Sequence, residues 1–219
     1  MTALFEAYDD TGKLQLTTEA VTYYVSNSYS VTTTSMGGGG YGQVYVYPPN
    51  STDLVAFRCT DGINISGYRE SAGYRFITQT PVCTIQIKIL SLARNLSPTA
   101  DNFGMQLFAP DGTLQFSAAR NMSFFLDSVS VFAEDGIGDV GESMTFASGS
   151  NPYAVIAGSE YVGYTGADEF DDFERIVNVA SMTATSIDVF SVTRNDWPSL
   201  PGGSGGYGVG GTYTVFAVS

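Results

Sequence analysis

Residues Phe5-Glu-Ala-Tyr-Asp-Asp-Thr-Gly-Lys-Leu-Gln-Leu16 and Met105-Gln-Leu-Phe-Ala-Pro-Asp-Gly-Thr-Leu-Gln-Phe116 carry one pattern at an offset of 100 positions, with no gap. Each copy opens with a short apolar run, breaks at an Asp/Gly turn and resumes with a second apolar run. Asp-Gly between β-forming residues is a strong hairpin signal, because glycine supplies the positive φ that the tight turn requires. The chain therefore reads as two related halves, each beginning with a β-hairpin.

Working outward at the same offset, Ser28, Ser30 and Val31 meet Ser128, Ser130 and Val131, and Val55 meets Val155. Ile87 meets Ile187, and Ser91, Arg94, Asn95 and Pro98 meet Ser191, Arg194, Asn195 and Pro198. The identities fall at strand-like positions. Further β-rich runs are expected at 21–25, 43–47, 54–57, 74–77 and 84–90. In the second half they are expected at 123–132, 143–146, 153–157, 175–180 and 186–192. The alternation Thr84-Ile-Gln-Ile-Lys-Ile89 predicts a half-buried strand with one wet face. The last segment, 211–219, resembles the opening strand of the second copy, so a closing strand can lead directly into the next unit. The fold class that follows is all-β: two related antiparallel β-sandwich-like domains from an internal duplication, 1–100 and 101–219.

Composition agrees. The 14 Tyr and 14 Phe favour pleated sheet, the 25 Gly and 8 Pro separate the apolar runs, and only 14% of the 219 residues are charged. Net charge is −13, with no histidine. The first half is nearly neutral, while the second sets three arginines against fifteen acids. Neither half clusters cations, which argues against nucleic acid and against anionic membranes. No run approaches the roughly 20 apolar residues of a membrane helix, so no membrane insertion is expected. The N-terminus lacks the basic and apolar regions of a signal peptide, so synthesis in a cytoplasm without export is expected. Cys59 and Cys83 match no zinc or redox motif and read as two buried thiols, with one disulfide as the alternative.

The segment Phe103-Gly-Met-Gln-Leu-Phe-Ala-Pro-Asp-Gly-Thr-Leu-Gln-Phe-Ser117 resembles the opening of small minor tail proteins of tailed bacteriophages. Those begin with an aromatic-Gly pair and a strand, turn at Asp/Asn-Gly, and continue into a Leu-x-Phe-Asp-Ser strand. The resemblance covers residues 103–131, with a fainter echo at 3–31. Ser117-Ala118 and Thr17-Thr18 stand where the family has Asp-Ser, and the first copy lacks the aromatic-Gly pair. The resemblance implies a β-domain protein of the tail tip or baseplate, carried in the virion beside other tail proteins. It also implies host contact.

Candidate chemistry is sparse. Gly37-x-Gly39-x-x-Gly42 and Gly206-x-Gly208-x-x-Gly211 match a dinucleotide pattern, but no helical pattern follows either, so both read as loops. The acidic run Asp168, Glu169, Asp171, Asp172 and Glu174 reads first as a solvated loop. Calcium on Asp168, Glu169, Asp171 and Asp172 is the sharper alternative, and a short helical turn with Phe170 and Phe173 inward is another. Without histidine, Ser–His–Asp, Cys–His and histidine–zinc chemistry are excluded, and no carboxylate pair stands out for glycoside hydrolysis. The chain is read as no enzyme, with no cofactor.

For sugar or receptor contact the candidates are Trp197, the only tryptophan, with Asn195, Asp196 and Tyr207, helped by Tyr161 and Tyr164. Trp197 capping a sheet end is the plainer reading. Tyr23, Tyr24, Tyr29, Tyr41, Tyr45 and Tyr47 read as core or interface strand residues rather than a ligand platform. The expectation is a structural virion component in a homo-oligomer, a trimer fitting cyclic closure, with a host surface glycan or protein as a further partner. The near-neutral first half would dock, and the acidic second half, with its glycine-rich arm at 201–211, would point outward. A carbohydrate-binding adhesin or decoration module is the alternative.

Overall fold

The computed structural model describes residues 6–8, 14–17, 22–37, 40–59, 61–69, 73–95, 105–132, 141–148, 150–156, 163–167, 172–193 and 212–218. Every regular element among them is a strand except one 3-10 turn, Ala93–Asn95. In the first half the strands are β1 (Glu6–Tyr8), β2 (Leu14–Thr17), β3 (Tyr23–Thr32), β4 (Thr34–Ser35), β5 (Gly42–Val46), β6 (Leu54–Arg58), β7 (Ile65–Arg69), β8 (Tyr74–Thr78) and β9 (Thr84–Leu92). In the second they are β10 (Gln106–Phe108), β11 (Leu114–Ser117), β12 (Met122–Ser123), β13 (Phe125–Phe132), β14 (Gly141–Thr145), β15 (Tyr153–Ile156), β16 (Gly163–Ala167), β17 (Asp172–Met182), β18 (Ser186–Thr193) and β19 (Thr212–Val218). All described pairings are antiparallel.

The two opening hairpins are the same object. Glu6, Ala7 and Tyr8 pair with Thr17, Leu16 and Leu14, and Gln106, Leu107 and Phe108 pair with Ser117, Phe116 and Leu114. The register shifts at the corresponding step in each. In the second copy the turn is held by Gly112 N–H donating to Ala109 O at 2.9 Å and by Thr113 N–H donating to Asp111 Oδ1 at 2.9 Å. Gly112 takes φ 83°, the left-handed conformation that selects glycine there.

The remaining strands form a seven-stranded sheet, β12-β3-β9-β6-β15-β19-β13, and an eight-stranded sheet, β14-β18-β17-β7-β8-β5-β4, with β16 on β17. Alternation along the strands explains how they face each other. In β9, Ile85, Ile87 and Ile89 are buried while Thr84 and Gln86 are exposed, matching the period read from the sequence. These isoleucines join Phe57, Val129 and Ala154 of the same sheet against Val46, Tyr74, Phe76, Met144, Ala180 and Ile187 of the other. Phe57 and Phe76 meet across the gap with ring centroids 4.9 Å apart. The result is an antiparallel β-sandwich with one principal core.

Each sheet contains both halves side by side. In the first half the orders are β3-β9-β6 and β5-β8-β7, and in the second they are β13-β19-β15 and β14-β18-β17. A bulge between Val25 and Asn27 recurs between Phe125 and Asp127, at the same offset of 100. Carried across the ladders, this match sets Ile87 of β9 against Val215 of β19 and Ala56 of β6 against Val155 of β15. In the other sheet, Val44 with Met144 sets Phe76 against Ile187 and Ile65 against Ala180.

The gap-free match therefore ends before β15, where Val155 corresponds to Ala56 rather than to Val55. The counterpart of Ile87 is Val215 rather than Ile187, because β16 and the segment leading to β19 lengthen the second half. The closing segment at 211–219, matched from sequence to an opening strand, takes the place of β9. The halves join where equivalent residues face one another: Ala56 opposite Val155, and Ile65 opposite Ala180. A pseudo-twofold axis runs through both pairs.

The seven-stranded sheet also coils. β12 and β13 lie at opposite ends of its strand order, yet only Phe124 separates them in the chain. A flat sheet would place them roughly 29 Å apart at the usual strand spacing, whereas one intervening residue spans about 7 Å. Twist bends two diagonal corners together, and the sheet is nearly closed. On the face away from the main core, Tyr23, Val25 and Leu90 gather with Ala56, Val155, Tyr153 and Val218 into a second apolar cluster.

Candidate functional site

Asp196, Asn195, Trp197 and Tyr207 lie outside the described residues, as does the glycine-rich arm at 201–211. Of the acidic run, Asp168, Glu169 and Asp171 also lie outside them. Asp172 opens β17 and pairs through its backbone with Ala167, so the run forms the connection of the β16–β17 hairpin. Phe173 and Glu174 belong to that strand, which replaces the helical turn considered for them. Among the described residues no three Asp, Glu, Cys or His side chains are grouped to hold a metal. No helix among them is long and apolar enough to cross a membrane. The first glycine pattern links β4 to β5, with Gly37 and Gly40 at φ 77° and 74° and Met36 N–H donating to Tyr41 O. It is a strand-to-strand turn, as expected for a loop.

The tyrosines divide. Tyr41 is buried against Ile77 and Val179, Tyr29 packs on the main core, and Tyr23 lies on the second cluster. Tyr45 and Tyr47 do otherwise. Val44 and Val46 face the core, so the alternate residues of this strand point outward from the eight-stranded sheet. Tyr45 is 38% and Tyr47 63% exposed, and their rings lie 8° from parallel with centroids 6.3 Å apart. Arg75, on the neighbouring strand β8, holds its guanidinium 5.4 Å from the Tyr45 ring centre. Its Nε and Nη2 donate to Gln43 Oε1 at 3.0 and 2.7 Å, which fixes the head group in place. The arrangement is an exposed aromatic step with a half-buried amide beside it and a cation that is itself buried. Rings of this kind can lie against an apolar sugar face while polar neighbours take its hydroxyls. The sequence assigns both to a core or interface strand rather than to a ligand platform, because strand tyrosines are commonly buried. The available signal was Tyr45 and Tyr47 at i, i+2 with small core valines between and before them.

The two cysteines are free and buried, with their Sγ atoms 3.3 Å apart. Burial, with the neighbouring Cys59, pushes the Cys83 thiol up to about 12. Cys83 therefore offers no nucleophile near neutral pH.

Compared with protein-family models, curated proteins and solved structures, the chain matches none.

Proposed function

We propose that this chain is a structural component of a tailed-bacteriophage virion, sited at the tail tip or baseplate and contributing to host contact. The observation that supports this reading is the β10–β11 hairpin, which carries the resemblance to minor tail proteins and recurs as β1–β2 in the same register. A hairpin kept twice with its bulge is a built element rather than a chance run of β-formers. The work asked of such a module is shape, burial and multivalent contact, where several weak sites add through effective concentration. No chemistry is required, and a closed homo-oligomer, a trimer among the simplest, would present several copies at once.

Quantitative mass spectrometry of gradient-purified virus particles from the source system tests it. A fixed ratio of a few copies per particle is expected against the major tail protein. Absence from the particles would sink the reading.

A carbohydrate-binding adhesin or decoration module is a second reading, favoured by the exposed Tyr45–Tyr47 step beside Arg75. It predicts that Tyr47→Ala lowers retention on a host glycan column several-fold while the melting temperature holds. Trp197→Ala separates the two candidate surfaces. Loss with Trp197→Ala alone would move the site to the 195–197 segment.

A further inference from the structure

We propose that Arg58 and Lys88, on the face of the seven-stranded sheet turned away from the main core, bind the carboxylate of an acidic saccharide of the uronate class. Phe57 and Ile87 face the core, so their chain neighbours Arg58 and Lys88 project from the opposite face. Lys88 Nζ lies 4.2 Å from the centre of the Tyr153 ring, and Arg58 Cζ lies 6.0 Å from the same centre. One half-buried cluster thus gathers two of the nine cations of a chain whose net charge is −13.

Among the described residues neither cation forms an ion pair, although the chain has 22 acids to offer. Arg58 Nε is shielded from solvent and has no hydrogen-bond partner. Natural interiors leave few such donors unsatisfied, and an incoming oxyanion would satisfy it. Burial, with the adjacent Arg58, also lowers the Lys88 pKa from its ordinary value. Two like charges held together in a partly desolvated place cost stability unless something offsets them.

The fold does not ask for this arrangement. Ser28 pairs with Lys88 in the first half and Ser128 with Phe216 in the second, so Phe216 stands where the duplicate would hold the lysine. A sheet that accepts phenylalanine at this register has no structural need of a cation. The neighbours point to a hydroxylated ligand rather than a bare anion. Ser28 and Ser30, exposed on β3, stand opposite Lys88 and Gln86, and Gln86 Oε1 accepts a hydrogen bond from the Tyr153 hydroxyl at 3.1 Å. Short hydroxyl and amide groups flanking two cations suit a sugar acid, whose carboxylate takes the charge and whose ring hydroxyls take the polar rim.

The test is NMR titration of the ¹⁵N-labelled full chain with glucuronate, glucose and acetate, repeated for Lys88→Met and Arg58→Met. Glucuronate is expected to shift the amides of β3, β6 and β9 saturably, with glucose and acetate at least fivefold weaker. Lys88→Met is expected to weaken glucuronate at least fivefold while its melting temperature is unchanged or higher, since a desolvated charge has been removed. That combination separates a binding role from a structural one. No saturable shifts on these strands, or equal binding by Lys88→Met, would overturn the proposal. Acetate binding as tightly as glucuronate would overturn the saccharide assignment.

Discussion

Single residues show how closely the sandwich is packed. A Cβ on Gly67 would fall 2.5 Å from Ile156 Cδ1 and 2.9 Å from Phe76 Cδ1, so the glycine makes room for a side chain from the opposite sheet and the other half. Gly67→Ala is expected to lower stability by about 1–3 kcal/mol by overpacking, measured by urea unfolding. Adding Ile156→Val should recover part of the loss, and strict additivity would mean that the contact is not its source. Cys83 gives a prediction in pH. Its folded thiol is pushed up to about 12 from an ordinary 9.0. Between those values the unfolded chain gives up a proton that the folded chain keeps. Its contribution is therefore complete below the lower value and lost as pH rises toward the upper one. Tyr74 and Tyr29, raised above 10.0 mainly by burial, act in the same direction at higher pH. The urea midpoint is expected to fall steadily above about pH 9, and Cys83→Ala should flatten the first part of that fall. An unchanged slope in the variant would assign the alkaline loss to the tyrosines alone.

At the level of elements, β19 carries the test of how the second half is built. It pairs with β15 on one side and β13 on the other, so it is an interior strand. Val215→Pro would remove a ladder donor and is expected to cost about 3 kcal/mol or more. Truncation after residue 211 should abolish cooperative unfolding, followed by far-ultraviolet circular dichroism. Under the gap-free match, 211–219 would lie beyond the second copy of β9 and be dispensable, so a truncated chain that melts normally would restore that match. The elements legible in the sequence were those whose period is undisturbed: the Ile85–Ile87–Ile89 alternation and the Asp/Gly hairpin. β7 was missed because its central position is Gly67, which reads as a loop residue but is there for space. β16 was missed because Gly163 and Gly166 break its pattern, and β17 runs into acidic residues that look like a solvated loop. Sheet faces were legible in part. Tyr45 and Tyr47 have the residue types of a core strand, and only the burial of Val44 and Val46 on the other side settles which way they point. The Arg58–Lys88 cluster is assembled from strands thirty positions apart in sequence, where no local spacing announces it.

For the whole molecule, the pairing of equivalent strands across the pseudo-twofold axis has a consequence that neither half shows alone. β6 meets β15 and β7 meets β17 through antiparallel edges, and the main core continues across both junctions. Cut between residues 100 and 101, each half would expose two unpaired strand edges beside apolar core residues, a template for pairing with another chain. The axis supplies an available solution. Because the positions that face each other are equivalent, a free first half can pair with a second first half through β6 and β7 in nearly the same geometry. Co-expressed halves are expected to purify as a 1:1 complex with the β-rich circular dichroism of the intact chain. The first half alone should run as a dimer or larger species in sedimentation velocity. The complex should exclude first-half dimers, because β12 of the second half pairs with β3 of the first, a contact that two first halves cannot make. A first half that is monomeric and cooperatively folded would show that the junction strands need no partner, and the two halves would then be independent units that merely adjoin.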